Sequence, residues 1–177
     1  MARFDKSLVA VTSRSFSTNQ FLVKKLKESY PNVSLNLTGK TLKENELVKF
    51  LATADKAIVG IEIIDKDILD QLPKLKLISK YGVGLNNLDL GECKKRNIQI
   101  KFQPGSNKQS VAEFTILLML NSLRQVHNNK TEIIEGNWTQ AKGQELKGKK
   151  IGIIGFGNIG SCLVSLLKPF GLSLIHI

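Results

Sequence analysis

The chain reads as an α/β protein built on parallel sheets, one completed within residues 1–104 and a second begun within residues 105–177. Three observations predict this. Short apolar runs alternate with helical stretches about five times within the first ~105 residues, the pattern of strands joined by crossover helices. Near the C-terminal end, the apolar run Ile151-Gly152-Ile153-Ile154 passes straight into Gly155-Phe156-Gly157-Asn158-Ile159-Gly160 and then into another helical stretch. Between them, Phe102-Gln103-Pro104-Gly105-Ser106-Asn107 interrupts the first pattern with proline and glycine, and marks the boundary.

The elements follow in order. Leu8-Val9-Ala10-Val11 reads as the first strand, with Thr12-Ser13-Arg14-Ser15 as a loop after it. Asn19 to Ser29 has helical apolar spacing at Phe21, Leu22 and Leu26, with Asn19 as its cap, and Pro31-Asn32 ends it. Val33 to Leu37 alternates as a half-buried strand does. Thr41 to Ala52 is helical, and Thr41-x-x-Glu44 matches a capping box. Ala57 to Gly60, Leu77 to Ser79 and Ile98 to Ile100 are further strands. Asp65 to Leu72 and Leu88 to Arg96 are the helices between them.

Beyond the boundary, Ser110-Val111-Ala112-Glu113 reads as a second capping box. The helix it opens is apolar nearly all round, through Phe114, Ile116, Leu117, Leu118, Met119, Leu120 and Leu123, and so needs cover on several sides, from core or from an interface. A weaker helical signal continues to Glu135, and Gly136-Asn137-Trp138 ends it. The glycine stretch leads into a helix over Ser161–Phe170 that Gly171 stops, and Leu172 to Ile177 reads as the next strand.

Composition narrows the class. Hydrophobic residues at 42% and charged residues at 23% describe an ordinary globular chain. No apolar run approaches the ~20 residues of a membrane span. The N-terminus Met1-Ala2-Arg3-Phe4-Asp5-Lys6 lacks the apolar core of a signal peptide, which predicts a cytoplasmic location without membrane partners. Cys93 and Cys162 have no metal or redox spacing and are expected to be buried thiols. The net charge of +11 raises nucleic acid as a partner, but the lysines are scattered in pairs and aromatics reach only 6%. A basic surface that attracts small anionic metabolites fits better.

The glycine stretch carries the clearest chemistry. Gly155 allows a sharp turn out of the strand. Gly157 lets a pyrophosphate approach the backbone, and Gly160 lets the helix pack closely on the strand. A helix N-terminus there offers free N–H groups and a partial positive charge to an anion. Strand, glycine turn and helix together predict dinucleotide binding. A second segment, Lys80-Tyr81-Gly82-Val83-Gly84-Leu85-Asn86-Asn87-Leu88-Asp89, follows the fourth strand at the carboxyl edge of the sheet. On its residues alone it is either a plain glycine turn or an anion nest formed by the Val83 and Gly84 N–H groups.

Three segments resemble the D-isomer-specific 2-hydroxyacid dehydrogenases: Glu145 to Gly160, Lys80 to Asp89, and Ser106 to Glu113. The resemblance spans roughly residues 8 to 172. It implies a flavodoxin-like substrate domain over 1–104 and the start of a Rossmann domain over 105–177. It also implies NAD as cofactor, NADP being the alternative, bound at Gly155, Phe156, Gly157, Asn158, Ile159 and Gly160. The second segment resembles the family's substrate loop, Gly-Val-Gly-x-Asp-Asn-x-Asp. This chain has Asn86 where Asp is usual, and Lys80 where the phosphoglycerate dehydrogenase branch often has Arg, a cation without Arg's bidentate fork. Lys80, Val83, Gly84 and Asn107 are the substrate-binding residues so implied.

The implied reaction oxidises a D-2-hydroxy acid, 3-phosphoglycerate among the candidates, or reduces the 2-keto acid. It implies a homodimer when the protein is full-length. The family's acid–base His, its Glu and the substrate Arg lie beyond the glycine turn, and neither His127 nor His176 matches their motifs. The acid that reads the ribose would be the next residue after Ile177, so the chain is expected to be an N-terminal fragment, inactive alone. A non-enzymatic NAD-sensing or protein-interaction relative on the same scaffold is the alternative.

Overall fold

In the computed structural model, residues 5–139 and 141–176 are described. The chain divides into two compact units between Pro104 and Gly105.

The first unit runs β1 (Val9–Val11), α1 (Arg14–Ser17), α2 (Gln20–Ser29), β2 (Val33–Leu35), α3 (Glu44–Leu51), β3 (Lys56–Val59), α4 (Lys66–Asp70), β4 (Leu77–Lys80), α5 (Leu90–Lys95) and β5 (Gln99–Lys101). All strand pairs are parallel, in the order β2-β1-β3-β4-β5. This is the flavodoxin-like order, in which chain direction across the sheet reverses between β1 and β3. The apolar strand β1 lies inside the sheet and is buried along its whole length, whereas the polar β5 forms an edge and is mostly exposed. Leu47, Leu51, Ile64, Leu69 and Ile78 are the large side chains at the centre of its core.

Several local expectations are corrected, and side-chain hydrogen bonds explain most of them. The predicted loop after β1 contains the one-turn helix α1, capped by Ser13, whose Oγ accepts from Phe16 N at 3.4 Å. A single turn is too short to leave an apolar period. The strand expected to reach Leu37 stops at Leu35 because Asn36 redirects the chain. Its Nδ2 donates to Thr12 O at 2.8 Å and Lys40 O at 2.9 Å, and its Oδ1 accepts from Thr38 Oγ1 at 2.7 Å. The capping box at Thr41 is not formed. Helix α3 starts three residues later, with Lys43 at the cap position and no side-chain cap bond. Asn19, Asp65 and Asp89 do cap α2, α4 and α5.

The second unit runs α6 (Lys108–Arg124), α7 (Val126–Ile134), β6 (Lys150–Ile153), α8 (Asn158–Leu167), a 3-10 turn (Lys168–Phe170) and β7 (Ser173–His176). Strands β6 and β7 pair in parallel around α8. Helix α6 opens at Lys108, so Ser110 lies inside its first turn and is not its cap. Glu113 instead accepts from Gln109 Nε2 at 2.7 Å. A left-handed Gln125, φ 52°, separates α6 from α7. Ala112, Ile116, Met119, Leu120 and Leu123 of α6 join Leu163 and Leu167 of α8 in the core, while Phe114, Leu117 and Leu118 stay exposed. Helix α8 begins at Asn158, three residues before its predicted start, so its first turn lies inside the glycine motif. Cys93 is buried, and burial pushes its thiol up from the ordinary value. Cys162 is only half-buried, with Sγ donating to Gln109 Oε1 at 3.3 Å.

The caps give a direct check. Asp65→Ala or Asp89→Ala should each cost about 1 kcal/mol in urea unfolding, because each leaves a first-turn N–H without its acceptor. Thr41→Ala, at the unused box, should stay within about 0.5 kcal/mol of the parent.

Candidate functional site

In the second unit, β6 delivers the chain into the glycine turn. Gly155 sits at φ +87°, a left-handed conformation that side-chain-bearing residues rarely adopt. Gly157 is the cap of α8, and a Cβ added there would meet nothing within 4 Å. Gly160 is the opposite case: its Cβ would run into the carbonyl oxygen of Gly155. The turn therefore needs glycine at 155 for conformation and at 160 for close approach, while at 157 it leaves open space over the backbone. No side chain caps α8, so its first N–H groups face that space without an intrahelical acceptor. Ser161 Oγ donates to Gly157 O at 2.7 Å and steadies the turn from the helix side. Asn158 packs against the backbone of Gly105, where a Cβ would stand 2.8 Å from Asn158 Cγ. Phe156 and Ile159 are exposed apolar side chains of the turn. Asn107 occupies the cap position of α6, exposed and without a side-chain cap bond.

In the first unit the loops after β1, β3 and β4 meet at the carboxyl edge of the sheet. Glu62, two residues past the strand-ending Gly60, is buried. Its Oε2 accepts from Thr12 Oγ1 at 2.9 Å and from Gly60 N at 2.8 Å, which ties the end of β1 to the end of β3. A side chain at 60 would be crowded, since its Cβ would come within 3.2 Å of Ser13 Cβ and 3.3 Å of Glu62 Oε2. Asn87 extends the network to the loop after β4: its Nδ2 donates to Glu62 O at 2.5 Å, and its own carbonyl accepts from Ile64 N at 2.8 Å.

Lys80 does not extend into open solvent, as a simple anion-neutralising side chain would. Its Nζ donates to Gly60 O and, at 2.6 Å, to Asn87 Oδ1. Burial draws the Lys80 amine below its ordinary value, and the Glu62 carboxylate opposes that shift. Lys80 thus ties the start of the loop Gly82-Val83-Gly84 to the end of β3 and to Asn87 beyond it. Among the described residues, neither the Val83 N–H nor the Gly84 N–H finds a backbone acceptor. Asn86 turns Oδ1 to within 3.2 Å of where a Gly84 Cβ would sit. The loop therefore carries two backbone N–H groups without a backbone acceptor, next to a partly buried cation, a combination suited to a carboxylate.

Lys80, Val83 and Gly84 fall together in the first unit, and the six turn residues fall together in the second. Asn107 belongs to the second unit. Sequence reasoning missed Thr12, Glu62 and Asn87, the residues that fix the loops. Glu62 had one usable signal, an acid two residues beyond a strand-ending glycine and flanked by Ile61 and Ile63. Among the described residues there is no group of acidic, histidine and cysteine side chains able to hold a metal, and no helix long and apolar enough to cross a membrane.

Residues 9–163 match the model of the D-isomer specific 2-hydroxyacid dehydrogenase catalytic domain. Among curated relatives, hydroxypyruvate reductase of Thermotoga maritima is 35% identical over 144 residues, covering 80% of this chain and 47% of that protein. D-3-phosphoglycerate dehydrogenase of Methanocaldococcus jannaschii is 34% identical over 138 residues, covering 76% of this chain and 26% of that protein. Among solved structures, the NAD-dependent formate dehydrogenase of Staphylococcus aureus in complex with NAD superposes with a TM-score of 0.78 at 26% identity, over 96% of this chain and 55% of that one. The chain spans about half, or less, of the length of these relatives.

The turn geometry separates two glycines that look alike in sequence. Gly160→Ala should destabilise the second unit by about 1–3 kcal/mol, because its new methyl meets backbone that cannot yield. Gly157→Ala should change stability by less than about 0.5 kcal/mol. Thermal unfolding of the two variants checks the contrast.

Proposed function

The chain belongs to the D-isomer-specific 2-hydroxyacid dehydrogenase family, and from that premise we propose that it supplies the substrate-binding unit and the first part of the NAD-binding unit of an oxidoreductase acting on a D-2-hydroxy acid. The observation that carries this is the glycine turn, whose open face at Gly157 and uncapped α8 N-terminus fit a pyrophosphate. The NAD-bound formate dehydrogenase of similar fold supports NAD as the dinucleotide.

On this reading the Gly155–Gly160 backbone holds the pyrophosphate, and Phe156, Asn158 and Ile159 shape the turn around it. The Val83 and Gly84 N–H groups bind the substrate carboxylate. Lys80 places positive charge beneath that loop while bracing it, and Asn107 belongs to the substrate-facing set. NAD, when bound, accepts hydride from the hydroxy acid or returns it to the keto acid. The acid–base His, its Glu partner and the substrate Arg come from sequence outside these 177 residues. The exposed row Phe114, Leu117 and Leu118 on α6 pairs with a second copy in the full-length protein, which works in the cytoplasm.

Calorimetric titration with NAD and NADP tests the reading. In the full-length protein, Gly157→Val should weaken NAD binding by about tenfold or more, since a branched side chain would fill the space the pyrophosphate needs. Equal affinities would overturn the assignment. The full-length protein should turn over a 2-hydroxy or 2-keto acid, and residues 1–177 alone should show no turnover because they contain no matched acid–base group.

A further inference from the structure

Where a parallel sheet reverses its winding, the loops on either side part and leave a crevice at the carboxyl ends of the strands. In the first unit this point lies between β1 and β3. A cleft of about 420 Å³ opens there. Ser13, Arg14 and Ser15 line it from the β1 side, Gly60 and Glu62 from the β3 side, and Tyr81 from the loop after β4. Tyr81 directly precedes Gly82-Val83-Gly84, so the cleft adjoins the proposed carboxylate loop along the chain itself. The Tyr81 ring is fixed by an edge-on contact with Phe16 of α1, with centroids 5.3 Å apart.

The charges of this cleft are unequal in what they have left to offer. Glu62 is 2% exposed, and its Oε2 is already engaged by Thr12 and Gly60. Arg14 is exposed. Its Nη1 donates to Gly39 O at 3.2 Å, which anchors the guanidinium without neutralising it, and it forms no salt bridge among the described residues. An anchored, uncompensated guanidinium presents its remaining N–H donors as a preformed fork for an oxyanion. Lys80 adds a second cation behind the neighbouring loop.

We propose that Arg14, with the Ser15 hydroxyl, binds the far end of the substrate, and that this end carries an oxyanion such as a phosphate ester. This rests on the carboxylate of the same molecule being held at Val83 and Gly84. It assigns the choice of hydroxy acid to the loop after β1, in a residue whose part in substrate recognition the glycine motifs do not indicate. A neutral polyol tail would use the serines and leave the guanidinium unmatched.

The test compares D-3-phosphoglycerate with D-glycerate, which differ only in the terminal phosphate, in the full-length protein. Affinities are read by calorimetry. The parent should prefer the phosphorylated acid by about tenfold or more, the usual size of a charge-assisted hydrogen-bond pair. Arg14→Gln should bring the two acids within about twofold while leaving D-glycerate binding unchanged, and Arg14→Lys should keep part of the preference because it keeps charge without the fork. Circular dichroism confirms that each variant is folded, which an exposed side chain with one carbonyl contact leads us to expect. Val83→Pro, which deletes one loop N–H, should weaken both acids together. If Arg14→Gln leaves the preference intact while Val83→Pro weakens both acids, the Arg14 assignment is wrong and the carboxylate loop stands. A parent that binds D-glycerate as tightly as the phosphorylated acid also overturns it. If neither acid binds the parent, both assignments fall.

Discussion

A buried carboxylate organises the first unit's functional edge. Parallel strands end together, and the backbone groups just beyond them lose their ladder partners. Glu62 answers this at the point where the sheet reverses. Its oxygen takes the Thr12 hydroxyl from one strand end and the Gly60 N–H from the next, at 2.9 and 2.8 Å. The Gly60 N–H, left unsatisfied, would cost about 1–3 kcal/mol, whereas the Thr12 hydroxyl also reaches Ile58 O at 3.3 Å. Gly60 leaves room for this carboxylate, because a Cβ there would press on it at 3.3 Å and on Ser13 at 3.2 Å. Once Glu62 is set, its main-chain oxygen receives Asn87, Asn87 receives Lys80, and Lys80 returns to the carbonyl of Gly60. The loops after three strands are thereby held by one connected set of bonds.

Such a set suits a binding edge better than an apolar cluster would. Apolar packing is non-directional, and it tolerates small rearrangements of the groups it covers. A polar network with its members satisfied specifies distances and orientations. The two N–H groups of Val83 and Gly84 are useful only if the loop holds them aimed at the same point. The Lys80–Asn87 bond joins the two residues that flank the loop, and the ring contact with Phe16 holds Tyr81 just before it.

The legible part of this molecule was the part written in apolar periodicity and glycine spacing. The buried β1 shows as a continuous apolar run, and the strand, turn and helix around Gly155 to Gly160 show as a motif whose glycines differ in physical role. What sequence reading missed depends on side chains meeting across long separations. Thr12 and Glu62 are fifty positions apart, and no local pattern joins them. The opposite error occurred at Thr41 and Ser110, where a local pattern was present without the helix start it signals. Leu42, between Thr41 and the true start of α3, is buried in the core, and α6 opens two residues before Ser110. Lys80 combines both difficulties: its position beside a glycine loop was visible, but the two acceptors that occupy its ammonium were not.

On the proposed reading, the two units meet anions by different physical means. The glycine turn contains no charged residue between 155 and 160 and relies on helix N–H groups and open space. Recognition of that kind depends on shape: Gly155 is fixed by conformation and Gly160 by contact, while Gly157 keeps the space over the backbone open. The carboxyl edge of the first sheet instead combines backbone donors with Arg14, Lys80 and Glu62, charges carried on side chains. Charge on side chains can be altered one residue at a time without remaking the backbone. Arg14 needs only the carbonyl of Gly39 to hold its place, whereas Glu62 is bound into the ends of two strands. On the proposed reading, variation in substrate is therefore expected at Arg14 and its exposed neighbours. Glu62, Asn87 and the glycines are constrained first by the fold that brings those neighbours together.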